Sequence, residues 1–132
     1  MKKSILHEAM RIVQSKKHTH TELFLHFTFI VQNNKIVEWG RNHVGAPAKH
    51  MGYHNRFVDE TYSPKTHSEL DAYRKGRGLI VNSKPFEIVN IRVNRSGVMR
   101  QSKPCSCCYT ILKEMGCKAF YYSTDVGFMI VR

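Results

Sequence analysis

The chain has 132 residues, 42% of them hydrophobic and 23% charged, an ordinary globular composition that excludes collagen-like repeats, argues against disorder and suits one domain, 1–132, with a buried core. Ten basic and five acidic residues in 1–66, and eleven and five in 67–132, spread the net charge of +11 evenly, which points to anionic partners such as phosphates or nucleic acid, or to a generally basic solvated surface. The longest apolar stretch, Leu23 to Val31, is far short of a bilayer span, and Met1 to Lys17 lacks the apolar middle of a secretion signal, so no membrane partner and a cytoplasmic location are expected.

Ser4 is placed to cap a first helix, in which Ile5, Leu6, Ala9, Met10, Ile12 and Val13 share a face to about Lys17. Leu23 to Val31 alternates as a strand apolar enough on both sides to be central. Asn33-Asn34 suits a hairpin turn, and Lys35 to Asn42 returns as a second strand. Residues 43–66 hold two glycines and two prolines and read as one long loop. His67 to about Lys75 reads as a second helix, stopped by Gly76 and Gly78. Phe86 to Asn94 is a third strand, followed by a loop to Lys103. Pro104 suits the first residue of a third helix, with Ile111, Leu112 and Met115 on its apolar face and Gly116 at its end. Ala119 to Ser123 and Phe128 to Val131 are the last two strands, joined by a turn at Asp125-Val126-Gly127. Only nine residues follow Ser123, too few for a parallel crossover through a helix, so these strands are expected to pair as an antiparallel hairpin. The order is an α/β arrangement of five strands and three helices.

Four cysteines, Cys105, Cys107, Cys108 and Cys117, fall close together. In a reducing compartment such a cluster means metal or catalysis more often than disulfides. Two segments frame the chemistry: Thr66-His67-Ser68-Glu69-Leu70-Asp71-Ala72 and Lys103-Pro104-Cys105-Ser106-Cys107-Cys108. Together they read H-x-E … P-C-x-x-C, the established signature of zinc nucleobase deaminases. Cys105 and Cys108 are three apart in a first helical turn, so their sulfurs share a face, and a helix N-terminus favours thiolates. His67 adds a neutral nitrogen. Three protein ligands leave a fourth tetrahedral position for water, the catalytic rather than the structural pattern. Glu69 then stands beside the metal, placed to move protons. Structural zinc closed by Cys107 or Cys117, and a redox Cys-x-x-C pair, are the competing readings. The redox pair leaves His-x-Glu unexplained, and a purely structural zinc would not need the Glu69 carboxylate.

On these motifs the chain resembles the cytidine and deoxycytidylate deaminase superfamily. The resemblance implies a three-layer cytidine-deaminase-like fold with a five-stranded mixed sheet. It implies one catalytic Zn²⁺ held by His67, Cys105 and Cys108, with Glu69 as proton shuttle. Asn42, in Trp39-Gly40-Arg41-Asn42, matches an Asn that binds the substrate sugar. Ser68 stands where the family usually has Ala, whose backbone N–H binds the base carbonyl; the added hydroxyl is expected to alter the pocket. The implied reaction is water attack at C4 of cytosine with loss of ammonia. The expected substrate is a free pyrimidine nucleoside or nucleotide: deoxycytidylate, deoxycytidine or cytidine. The alternative is a cytosine deaminase acting on single-stranded DNA or RNA. The His67–Ala72 stretch is most similar to the deoxycytidylate branch, the terminal hairpin to nucleoside deaminases and some deaminase toxins. A homo-oligomer is implied by the same resemblance.

Several further residues have both a plain and a functional reading. His43, His50 and His54 are polar loop histidines or ligands of a second metal. Lys49, Arg56, Lys65, Arg100 and Lys103 are solvated charges or phosphate contacts. Tyr53, Phe57 and Tyr62 pack the loop or stack on a base. Cys107 is expected to pack within its helix and Cys117 to be a small buried thiol.

Overall fold

Two strands with apolar residues on both faces need cover on both sides, and the rest of the fold supplies it. In a computed structural model, which describes residues 1–19, 25–44, 65–81, 84–104 and 106–132, these are β1 (Leu25–Gln32) and β5 (Phe86–Val93), paired antiparallel at the sheet centre. β2 (Lys35–Arg41) flanks β1 antiparallel through the Asn33-Asn34 turn, where φ of 54° and 59° takes both asparagines into the left-handed region the hairpin requires. β7 (Cys117–Thr124) lies parallel to β5, and β8 (Gly127–Val131) closes the sheet as the antiparallel partner of β7. The order β2-β1-β5-β7-β8 is the mixed five-stranded sheet expected, with its terminal hairpin.

Helix α1 (Lys3–Lys16) covers one face, placing Ile5, Ala9 and Val13 on Leu25, Phe27, Phe29 and Val31 of β1 and on Val89, Ile91 and Val93 of β5. Helices α2 (Ser68–Gly76) and α3 (Ser106–Glu114) cover the other, where Ala72 and Leu112 meet Ile30, Ile88 and Phe120. The result is three layers. Among the described residues, no helix is long and apolar enough to cross a membrane.

Two details position α2. At Gly40 of β2 an added Cβ would fall 2.3 Å from the backbone nitrogen of Ala72, so only glycine admits the helix this close. Beside it, the backbone N–H of Arg41 donates to Asp71 Oδ2 at 3.0 Å. Asp71 also takes Lys75 Nζ at 3.0 Å and Arg74 at 3.3 Å.

Three local expectations change. Ser4 does not cap α1: Lys2 is the N-cap, with no side-chain cap bond, and Ser4 lies inside the first turn. The 43–66 loop has paired ends, because β3 (His43–Val44) and β4 (Lys65–Thr66) form a two-residue antiparallel ladder that closes it. The loop after β5 carries β6 (Met99–Arg100), which pairs back onto Val93 and Arg92. Gly116 ends α3 as expected, at φ +106°.

Candidate metal and catalytic site

The β3–β4 ladder delivers the chain to His67, which is the N-cap residue of α2 with extended backbone (φ −71°, ψ 148°). Ser68 to Ala72 are all buried, so the first turns of α2 are pressed into the sheet. From the other side, Ser102 stitches the approach to α3 onto two strands. Its N–H donates to the Ser123 carbonyl at 2.9 Å, and its hydroxyl donates to the Asn90 carbonyl at 2.8 Å. Cys108 then lies in the first turn of α3 and is fully buried.

These two helix starts converge. His67 Nδ1 is 3.3 Å from Cys108 Sγ, and ligand atoms of His67, Glu69 and Cys108 all lie within 4.8 Å of one another. A tetrahedral zinc with Zn–S of about 2.3 Å and Zn–N of about 2.05 Å separates sulfur and nitrogen by roughly 3.6 Å. The 3.3 Å spacing fits that donor pair. Both helix N-termini favour the thiolate charge such an ion requires.

Glu69 is buried, yet its carboxylate has fixed partners. Oε1 accepts from the Ser68 hydroxyl at 3.1 Å, and Oε2 accepts from Asn90 Nδ2 at 3.3 Å. Thr28 Oγ1 lies 2.7 Å from Ser68 Oγ and donates to Asn90 Oδ1 at 2.8 Å. Glu69, Ser68, Thr28 and Asn90 thus form one contiguous polar cluster, in which the single Ser68 proton serves Glu69 and the single Thr28 proton serves Asn90. Thr28 and Asn90 are direct cross-strand partners, which is what brings them together.

Of the expected site residues, His67, Glu69 and Cys108 come together as the motif requires. Cys105 lies outside the described residues, as do His50, His54, Lys49, Arg56, Tyr53, Phe57 and Tyr62; the side chains of His43, Lys65 and Cys107 are likewise outside them. The Ser68 hydroxyl is only 2% exposed with its residue and faces Thr28 and Glu69 rather than an open pocket. Asn42 follows β2, where its Oδ1 accepts from the His26 N–H at 3.0 Å and its own N–H donates to the His26 carbonyl at 3.2 Å. Lys103 is exposed, and Arg100 stands 3.9 Å from Asp125. Cys117 is a core thiol that donates to the Ala119 carbonyl, and burial pushes it up from 9.0 to about 12. That makes it a poor metal ligand. Thr28, Asn90 and Ser102 were not singled out from the sequence. The available signal was a polar residue set directly between apolar neighbours in each of two strands, Thr28 between Phe27 and Phe29 and Asn90 between Val89 and Ile91.

The fold is that of a dCMP deaminase of known structure. Two solved structures share it, both of the dCMP deaminase from the cyanophage S-TIM5. The complex with dCMP and dUMP is 21% identical, with 92% of this chain and 82% of that chain covered and a TM-score of 0.59. The apo form is 20% identical, covers 92% and 84%, and has a TM-score of 0.58. No protein-family profile and no curated protein matches the sequence.

Proposed function

We propose that this protein is a zinc-dependent hydrolase that deaminates cytosine to uracil in a free pyrimidine nucleotide or nucleoside. The carrying observation is the convergence of His67, Cys108 and Glu69 at two helix N-termini, on a fold shared with a dCMP deaminase. His67 and Cys108 would hold the ion, with Cys105 of the same P-C-x-x-C motif as third ligand. Bound there, zinc supplies the acidity that makes water nucleophilic at neutral pH.

The chain's own groups do the rest. Glu69 takes one proton from the attacking water and passes it to the ring nitrogen, then takes the second from the hydroxyl added at C4 and passes it to the amine, which leaves as ammonia as the C4 carbonyl forms. The Ser68 hydroxyl at Oε1 suits both states of that carboxyl, since a hydroxyl can donate to a carboxylate and accept from a carboxylic acid. With the Ser68 hydroxyl turned inward, its backbone N–H at the start of α2 is the group left for the base carbonyl. Asn42 is the proposed sugar contact. The neighbouring structure's complex with dCMP and dUMP supports a nucleotide substrate over a polymer. Its phosphate would account for part of the basic charge.

The test is ammonia release by zinc-loaded protein on deoxycytidylate, deoxycytidine, cytidine and a cytosine-bearing single strand, assayed side by side. Turnover of the monomers, deoxycytidylate above all, is expected. Turnover confined to the strand would replace this reading with the polynucleotide one, and inactivity on all four would end it.

A further inference from the structure

The carboxamide of Asn90 has every polar atom engaged in a fully enclosed setting. Nδ2 donates to Glu69 Oε2 and to the Ser102 carbonyl, each at 3.3 Å, while Oδ1 accepts from Thr28 at 2.8 Å. A carbonyl only accepts, so the Ser102 contact fixes which end of the amide is nitrogen. Asn90 is 4% exposed, Thr28 0%, Ser68 2% and Ser102 4%. A buried amide with both hydrogens and its oxygen satisfied has little freedom to rotate.

The two groups bridged by Nδ2 belong to different halves of the site. Glu69 sits in the first turn of α2, and Ser102 sits on the segment leading into the cysteine motif. Ser102 is itself tied to the strand that carries Asn90, through its hydroxyl and the Asn90 carbonyl at 2.8 Å. One side chain on a central strand therefore sets the distance between the proton-moving carboxylate and the segment carrying the cysteines.

We infer that Asn90 is a positioning residue, which holds the Glu69 carboxylate in register with the cysteine segment through its two amide hydrogens, while Thr28 orients the amide. This rests on the deaminase reading above. Asn90→Asp keeps the shape and the acceptor for Thr28 but replaces both donors. Loss of an outer partner of this kind costs roughly 10- to 100-fold in activity. That loss is expected in kcat, with KM little changed and zinc content per chain equal to wild type.

A second readout needs neither metal nor turnover. Thermal unfolding of the metal-free chain is compared for Asn90→Asp, Glu69→Gln and the double variant. Asn90→Asp sets carboxylate against carboxylate, whereas Glu69→Gln leaves an amide whose oxygen can still accept from Asn90 Nδ2. The double variant restores a donor facing an acceptor where Asn90→Asp alone has none, so it should unfold several degrees above the sum of the two losses. Additive losses overturn the inference. So does a wild-type kcat in Asn90→Asp, and so does a raised KM at unchanged kcat, which would put Asn90 on the substrate. If Asn90→Asp fails to fold, Thr28→Val takes its place with the same kcat and KM criteria. Wild type assayed in parallel keeps the two failures apart: an inert wild type removes the deaminase reading and this inference with it, whereas an active wild type with an equally active variant removes the inference alone.

Discussion

The two faces of the central sheet are made by the same strands and serve opposite ends. On the α1 face, β1 and β5 contribute Leu25, Phe27, Phe29, Val31, Val89, Ile91 and Val93, an apolar surface under Ile5, Ala9 and Val13. One residue along, the alternate positions turn toward α2 and α3 and include Thr28 and Asn90, joined to Ser68 and Glu69. A strand's period of two lets one chain segment build a dry core on one side and hold a polar cluster on the other. Stability and chemistry are therefore separable along β1 at neighbouring residues.

Glu69→Gln should break the chemical face most severely. General acid–base groups contribute roughly 10²–10⁴-fold, so kcat should fall by that order while zinc content, read by elemental analysis, stays at the wild-type level. Phe29→Ala should break the other face: a buried Phe lost from a core costs about 3–5 kcal/mol, visible as a lower denaturation midpoint, with kcat per folded molecule unchanged. Thr28→Val, one residue away, should reverse that pattern. Leaving the Asn90 amide oxygen without its donor costs about 1–3 kcal/mol, a smaller stability loss than Phe29→Ala, yet kcat should drop. Equal behaviour of the two variants in paired unfolding and kinetic assays would refute the division of labour.

Gly40→Ala tests the placement of the chemical face as a whole. The new Cβ meets the α2 backbone at Ala72 and Asp71, and overpacking of this kind costs about 1–3 kcal/mol. Because backbone must shift, turnover should fall together with the melting temperature. The smallest effect belongs to Cys117. Its thiol is raised by burial from 9.0 to about 12, so the folded chain keeps it neutral where the unfolded chain ionises. That contribution is complete below pH 9 and is lost as pH rises toward about 12. Cys117→Ala should flatten the alkaline decline in stability, measured by unfolding across that range.

What was legible in the sequence follows from how local each signal is. The Asn33-Asn34 hairpin, the stop at Gly116 and the alternation in β1 depend on a few adjacent residues, and all appear in the structure. So do His67 and Glu69, two apart at a helix start, and their meeting with Cys108, because the motif carries the spacing. The β3–β4 ladder was not legible, since it joins His43 to Thr66 across a long loop and only two residues of each side pair. Ser4 misled because a cap residue is defined by where the helix begins, and α1 begins at Lys3. The polar cluster around Glu69 needs the β1–β5 register, which sets Thr28 opposite Asn90; a one-residue slip would turn both away.

The most direct test of the account is conversion of deoxycytidylate to deoxyuridylate by wild type and Glu69→Gln, with zinc content measured on the same samples. The account predicts zinc in both proteins and turnover in wild type alone. A wild type that binds no zinc, or a Glu69→Gln variant that still turns over, would contradict it.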